Sequence, residues 1–196
     1  MRALRALGID PPALAELRIF EVGCDTGDLL RSFVRWGAKP EHCAGADIRA
    51  AAVERGQALS PNIRLFEADC VETGEPAGAH DLVVQNIMFS SVLDGEIRRA
   101  LAREMVRITR PGGVILWCDI RYGNPRNPHV VPIRKPELLE LFDGCTLEVC
   151  RSILLVPPLA RRLAPVSTIL CDLLAHVPFL RGHLLAAFRK PEGDAA

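Results

Sequence analysis

The sequence predicts an α/β protein built on a doubly wound, mostly parallel sheet with helices on both faces. Three observations predict it. Short apolar runs alternate with segments of helical spacing from Arg18 to Cys118. The connections between them are only a few residues long, as in strand–helix–strand units around a parallel sheet. The first strand-to-helix joint is rich in glycine, reading Glu21-Val22-Gly23-Cys24-Asp25-Thr26-Gly27-Asp28.

Each element has its own local reason. Pro11 to Leu17 reads as a short helix. Arg18 to Val22 is a compact apolar run that ends at Gly23, a buried strand meeting a turn. Asp28 to Trp36 places Leu29, Leu30, Phe33 and Val34 at helical spacing. Cys43 to Asp47 is a second strand, Arg49 to Leu59 an alanine-rich helix, Ile63 to Phe66 a third strand and Asp81 to Gln85 a fourth. A long helix over Asp94 to Ile108 sets Ile97, Leu101, Met105 and Val106 on one side, and Pro111-Gly112-Gly113 is expected to terminate it. Val114 to Cys118 is uninterrupted and apolar, as a central strand should be. Tyr122 to Val131 is a loop dense in Asn, Pro and Arg, Lys135 to Phe142 a short helix, and Leu147 to Val156 a sixth strand. Pro157 to Pro178 is apolar and mostly helical, and Gly182 to Arg189 is a seventh strand.

Composition bounds the function. With 196 residues the chain is expected to form one domain over 1–196. Within it, 1–17 is a short N-terminal helix, 18–120 the core, and 121–196 a loop, the last strands and the apolar insertion. Lys plus Arg equal Asp plus Glu at 24 each, so no basic excess points to nucleic acid. Seven cysteines, an odd number with no C-x-x-C pair, argue against a disulfide framework or a metal site and fit a reducing cytoplasm. Neither a signal peptide nor a stretch long enough to span a membrane is read.

The glycine-rich turn lets backbone approach a ligand closely while the following helix offers its free amides. Asp47 ends the second strand about twenty residues past the turn, where a carboxylate can accept both hydroxyls of a ribose. Asp69 follows the third strand, placed to accept from an exocyclic amine such as that of adenine. Acidic residues at three successive strand ends suit a ligand lying across the carboxyl edge of the sheet.

As a series, these segments resemble the class I S-adenosylmethionine-dependent methyltransferases. Arg18 to Asp28 resembles the family's first motif, Gly45 to Ile48 its second and Glu67 to Asp69 its third. His80 to Gln85 resembles the fourth-strand motif, and Arg110 to Val114 the turn before the fifth strand. The resemblance implies a Rossmann-like sheet of seven strands with an antiparallel last strand, here with a helical insertion between the last two strands. It implies S-adenosylmethionine as cofactor and S-adenosylhomocysteine as product. Glu21, Gly23, Cys24, Asp25 and Gly27 would line the methionine moiety, Asp47 the ribose, Ile48, Asp69 and Cys70 the adenine, and Gln85 the methionine amino group. Asp25 departs from the glycine usual there, although Asp tolerates a left-handed backbone better than most residues.

His129 and Asp119 are the candidates for a general base, and Arg121, Tyr122, Asn124 and Arg126 are expected to face the substrate. The expected reaction is methyl transfer, at oxygen, to a small-molecule, natural-product or glycan acceptor. N- or C-methylation and a non-catalytic module are the alternatives. Gln85-Asn86-Ile87-Met88 stands where enzymes acting on amino groups of nucleic acids or proteins carry N-P-P-Y. The apolar insertion is read first as a cover over the core or cleft, second as a homodimer face, and third as a shallow membrane attachment flanked by Arg161, Arg162 and Arg181.

Overall fold

The computed structural model describes residues 4, 5, 7–123 and 127–193. In chain order the elements are α1 (Pro11–Leu14), β1 (Ile19–Val22), α2 (Asp28–Arg35), β2 (Cys43–Asp47), α3 (Ala50–Leu59), β3 (Arg64–Glu67), β4 (His80–Asn86) and α4 (Gly95–Ile108). They continue with β5 (Thr109–Ile120), α5 (Lys135–Leu141), β6 (Thr146–Leu155), α6 (Pro157–Leu163), α7 (Thr168–Leu174) and β7 (Arg181–Arg189). Seven strands form one sheet in the order β3-β2-β1-β4-β5-β7-β6. Strands β1 to β5 pair in parallel, and β7 is antiparallel to both β5 and β6. This is a Rossmann-like mixed sheet of seven strands, with the antiparallel β7 that the resemblance implies.

Alternation along the central strands explains the two-sided packing. Phe20, Val22 and Val83 point into a core with Leu101 and Met105 of α4 and Leu138 of α5. Their neighbours Ile19, Leu82 and Val84 point the other way, against Leu30 and Phe33 of α2 and Val53 of α3. Every residue of β1 and β2 is buried, since both faces carry helices. Asp94 caps α4, its carboxylate accepting from the Glu96 amide at 2.7 Å.

Three expectations change. The long helix stops at Ile108, and Thr109 is already extended, so Pro111-Gly112-Gly113 lies within β5 and does not terminate the helix. Gly112, at φ +69°, turns its amide toward the carbonyl of Lys190 at 3.1 Å, so the stretch pairs with the chain beyond β7. Ile97 leaves the expected core stripe of α4: it is half exposed and borders a cavity. The insertion between β6 and β7 is two short helices and a turn of 3-10 helix at Pro178–Leu180, and none of these elements holds a buried residue.

Register places the insertion. Ile120 at the end of β5 faces His183 of β7, and Leu155 at the end of β6 faces Arg181. Residues 156–180 therefore emerge at the edge where the parallel strands end.

Candidate active site

The joint after β1 is a tight, left-handed turn. Gly23, Asp25 and Gly27 have φ of 71°, 49° and 79°. The amides of Gly23 and Cys24 both donate to the carbonyl of Ala46 at 2.9 Å, stitching the turn to β2. A Cβ on Gly23 would displace the Met88 side chain, and at φ 71° it would strain the backbone, so glycine is strongly favoured there. Asp25 holds its left-handed conformation by donating its amide to Asp47 Oδ2 at 2.8 Å.

Asp47 is the hub. Its Oδ1 accepts from the Arg49 amide at 3.0 Å and from Arg49 Nε at 3.2 Å. Burial pushes the Asp47 carboxyl up, but the Arg49 amide, the Arg49 guanidinium and the Asp25 amide outweigh it and hold the group below the ordinary carboxylate range. The Arg49 guanidinium also reaches Asp25 Oδ1 at 3.2 Å. Arg49 therefore clamps the carboxylate that replaces the expected glycine to the carboxylate that ends β2.

Glu21 contrasts with Asp47. It is buried in β1, its Oε2 has no hydrogen-bond partner among the described residues, and burial raises its carboxyl well above the usual range. A buried acceptor without a donor is costly, and a cationic ligand group would relieve it.

Past β4, the side chain of Gln85 organises a sharp bend. Its Nε2 donates to the carbonyl of Cys118 at 3.1 Å and its Oε1 accepts from the Met88 amide at 3.2 Å. Between them Ile87 is held at φ 57°, a conformation β-branched residues rarely adopt; such strain clusters at functional sites. Asp119 supports the same bend from beneath, accepting from the Ser90 amide at 3.0 Å and the Ile120 amide at 2.7 Å. Burial pushes the Asp119 carboxyl up.

These elements enclose a cavity of about 720 Å³ at the carboxyl edge. Gly23, Asp25, Asp47, Ile48, Asp69 and Cys70 border it. Ile48 is 66% exposed there, an apolar side chain turned largely to the open. Asp69 accepts from the Val71 amide at 3.1 Å. Cys70 is buried, and burial pushes its thiol up to about 11, so it is no thiolate nucleophile near neutral pH. Glu21, Cys24, Gly27 and Gln85 lie behind this lining, shaping the turn and the bend.

Among the substrate-side residues, two have partners in the insertion. Arg121 donates to the carbonyl of Pro178 at 2.9 Å and Tyr122 to that of Phe179 at 3.2 Å, so both fasten the loop after β5 to the insertion. His129 is exposed, away from the cavity lining. Asn124 and Arg126 lie outside the described residues. Sequence reasoning missed Arg49 and the post-β4 segment Asn86, Ile87, Met88, Ser91 and Val92, which border the cavity. The signal for Arg49 was present: a cation two residues past Asp47, in the chain that carries the unusual Asp25. For Ile87 and Met88 the signal was their place after the fourth strand, where amino-group methyltransferases carry N-P-P-Y, and it was used only to weigh the acceptor.

Several solved structures share the architecture. An S-adenosylmethionine-dependent methyltransferase from Mesorhizobium loti superposes with a TM-score of 0.64 at 18% identity, over 96% of each chain. One from Archaeoglobus fulgidus gives 0.67 at 16% identity, over 96% of this chain and 92% of its own. The [4+2]-cyclase SpnF gives 0.69 at 18% identity, over 98% of this chain and 81% of its own. Identities this low establish the fold. No curated protein matches the sequence significantly. Residues 19–113 match the methyltransferase domain family.

Residues 19–113 form a methyltransferase domain, and the chain as a whole is similar to the class I S-adenosylmethionine-dependent methyltransferases. S-adenosylmethionine is the cofactor of this methyltransferase, and the residues present fit it. An orphaned buried carboxyl stands at Glu21. Gly23 leaves a cradle, Asp47 sits at the cavity rim, and Ile48 offers an apolar face. The methyltransferase's cavity also matches the 300–1,000 Å³ typical of small-ligand sites.

Proposed function

We propose that the enzyme transfers the methyl group to oxygen on a small, largely apolar hydroxylated acceptor. The single observation that carries this reading is the wall built by Ile87, Met88, Val92, Ile97 and Leu101, with Asn86 and Ser91 as the polar groups beside it. Such a wall suits an apolar ring or chain better than a free sugar, so a glycan acceptor is the less favoured form of the same reaction.

The cofactor supplies an electrophilic methyl on a sulfonium. In this reading Asp47 accepts from the ribose hydroxyls, Ile48 packs on the adenine, and Asp69 and Cys70 flank its edge. Glu21, with its unpartnered oxygen, answers the ammonium of the methionine end. Asp25 stands beside that end, where Arg49 offsets its charge. Gly23 and Gly27 shape the turn, Cys24 fills its inner side, and Gln85 fixes the bend beneath the acceptor wall. A carboxylate offers about four acceptor positions, and the protein fills three on Asp47. Holding both hydroxyls of a ribose therefore requires Arg49 Nε to let go while its pairing with Asp25 remains.

Positioning supplies much of the rate of methyl transfer, because the reacting atoms need only be held in line. Asp119 acts here by fixing the bend at Ser90. His129 remains the base reading on the loop after β5, with Arg121, Tyr122, Asn124 and Arg126 as the proposed substrate contacts. The test is a methyl-label assay over an acceptor panel that pairs apolar phenols and alcohols with amines and soluble sugars, with products placed by mass spectrometry. Label on the hydroxyl of apolar acceptors is expected. Label confined to amines or to free sugars would overturn the reading.

A further inference from the structure

We propose that the insertion of residues 157–180 is a docking surface for an anionic lipid bilayer, set at the catalytic edge of the sheet. The proposal is independent of which acceptor the enzyme uses.

Position comes first. Because β7 is antiparallel to β5 and β6, the pairs Ile120–His183 and Leu155–Arg181 bring the insertion to the edge where β1, β4 and β5 end and where the cavity opens. Arg121 and Tyr122 tie it to the loop after β5 through the carbonyls of Pro178 and Phe179. The surface and the chemistry therefore move as one unit.

Exposure comes second. Val166, Ile169, Leu173 and Phe179 are 80%, 71%, 63% and 70% exposed, and Leu154 at the root of the insertion is 58% exposed. Side chains this large and this apolar, gathered on one short segment, are unusual on a protein that faces only water. The insertion does not earn its place by filling the core: α7 rests on β6 across a hollow of about 580 Å³.

Charge decides the occupant. From Arg151 to Arg181 the chain carries four arginines and one acidic residue, Asp172, while the whole chain balances at zero. Arg181 donates to the carbonyls of Ala175, Ser152 and His176 and lines the hollow with Arg151, so Arg161 and Arg162 carry the outward charge. Arg161 and Arg162 are exposed in the last turn of α6, a few residues before Val166 and Ile169. An apolar face flanked by arginines is the pattern of helices that lie in the headgroup region, apolar side down and guanidinium groups on the phosphates. No described helix is long and apolar enough to cross a membrane, so the contact is shallow. A second copy is disfavoured, since pairing the same face with itself brings like charges together.

The test is flotation of the whole protein with vesicles of phosphatidylcholine alone and of phosphatidylcholine mixed with phosphatidylglycerol. Wild type is expected to float with the mixed vesicles, weakly with phosphatidylcholine alone, and less at high salt. Arg161→Gln with Arg162→Gln should lower partitioning roughly thirty-fold, near one factor of five per charge. Ile169→Ser with Leu173→Ser and Phe179→Ser should abolish it. These side chains are exposed, so circular dichroism and binding of S-adenosylhomocysteine should stay at wild-type values. Wild type left wholly in solution with both vesicle types overturns the proposal. So does flotation that neither variant weakens, or a dimer in sedimentation that the serine variant dissolves.

Discussion

Replacing Asp47 with Ala tests the clamp at the centre of the site. The structure gives this carboxylate three N–H donors: the Asp25 amide at 2.8 Å, the Arg49 amide at 3.0 Å and Arg49 Nε at 3.2 Å. A hydrogen bond to a charged partner contributes about 1.5–3 kcal/mol when buried. Asp47 is buried, but Arg49 is mostly exposed and water can replace part of what it loses. The expected loss is therefore about 3 kcal/mol, and at roughly 2–4 °C per kcal/mol for a chain of this size, Tm should fall by roughly 6–12 °C. Part of this is local. Asp25 sits at φ 49° only while its amide is held, so hydrogen exchange across the turn should quicken first. Binding of S-adenosylhomocysteine should weaken by about 100-fold or more, the effect of removing two hydrogen bonds to a charged acceptor. Calorimetry and a thermal melt on the same preparation give both numbers. An Asp47→Ala protein with unchanged Tm and unchanged affinity would refute the reasoning. Lost stability with intact affinity would leave the clamp standing and remove Asp47 from the ribose.

Acid should erase the difference between wild type and Asp47→Asn. The folded Asp47 carboxyl lies below its ordinary value, so its stabilisation is present above that value, near pH 4, and fades as pH falls toward the folded one; melts of both proteins from neutral to acid pH should converge. Glu21→Gln should behave in the opposite sense. Burial raises the folded Glu21 carboxyl, so the wild type loses stability as pH rises from the ordinary carboxylate value through the folded one. The variant should melt higher at neutral pH, match wild type in acid, and bind S-adenosylhomocysteine more weakly. Arg49→Ala should weaken cofactor binding by leaving Asp25 unneutralised, and Asp25→Gly in the same protein should restore it; two penalties that simply add in calorimetry would show the pair is uncoupled. Gln85→Ala removes both partners of the bend, the Cys118 carbonyl and the Met88 amide. It should cost about 1–3 kcal/mol and slow methyl transfer more than it weakens cofactor binding, which kinetics at saturating cofactor would show.

Much of the frame was legible in the order of residues. Apolar strands, helical spacing and the glycine-rich turn are local signals, and each follows from backbone conformation or from the period of a buried face. So were the acidic residues that end β2 and follow β3, because a parallel sheet collects its strand ends at one edge. The sequence could not show that Arg49 turns back to hold Asp25 and Asp47 together, because the side chain of a residue at a helix start has many directions open to it. Nor could it show that Asp119 spends both oxygens on the amides of Ser90 and Ile120. Asp119 reads as a base because it ends a strand, and its packing partners are set by Ser90, 29 residues away in the chain. Arg121 and Tyr122 looked like substrate contacts because their loop follows β5, and the position of Pro178 and Phe179 made them anchors. By itself the sequence determined the sheet, its turn and the acidic edge, since these depend on neighbours along the chain. Only the tertiary structure decided which of those side chains remain free for a ligand, since that depends on partners that residues far apart in the chain bring to the same edge.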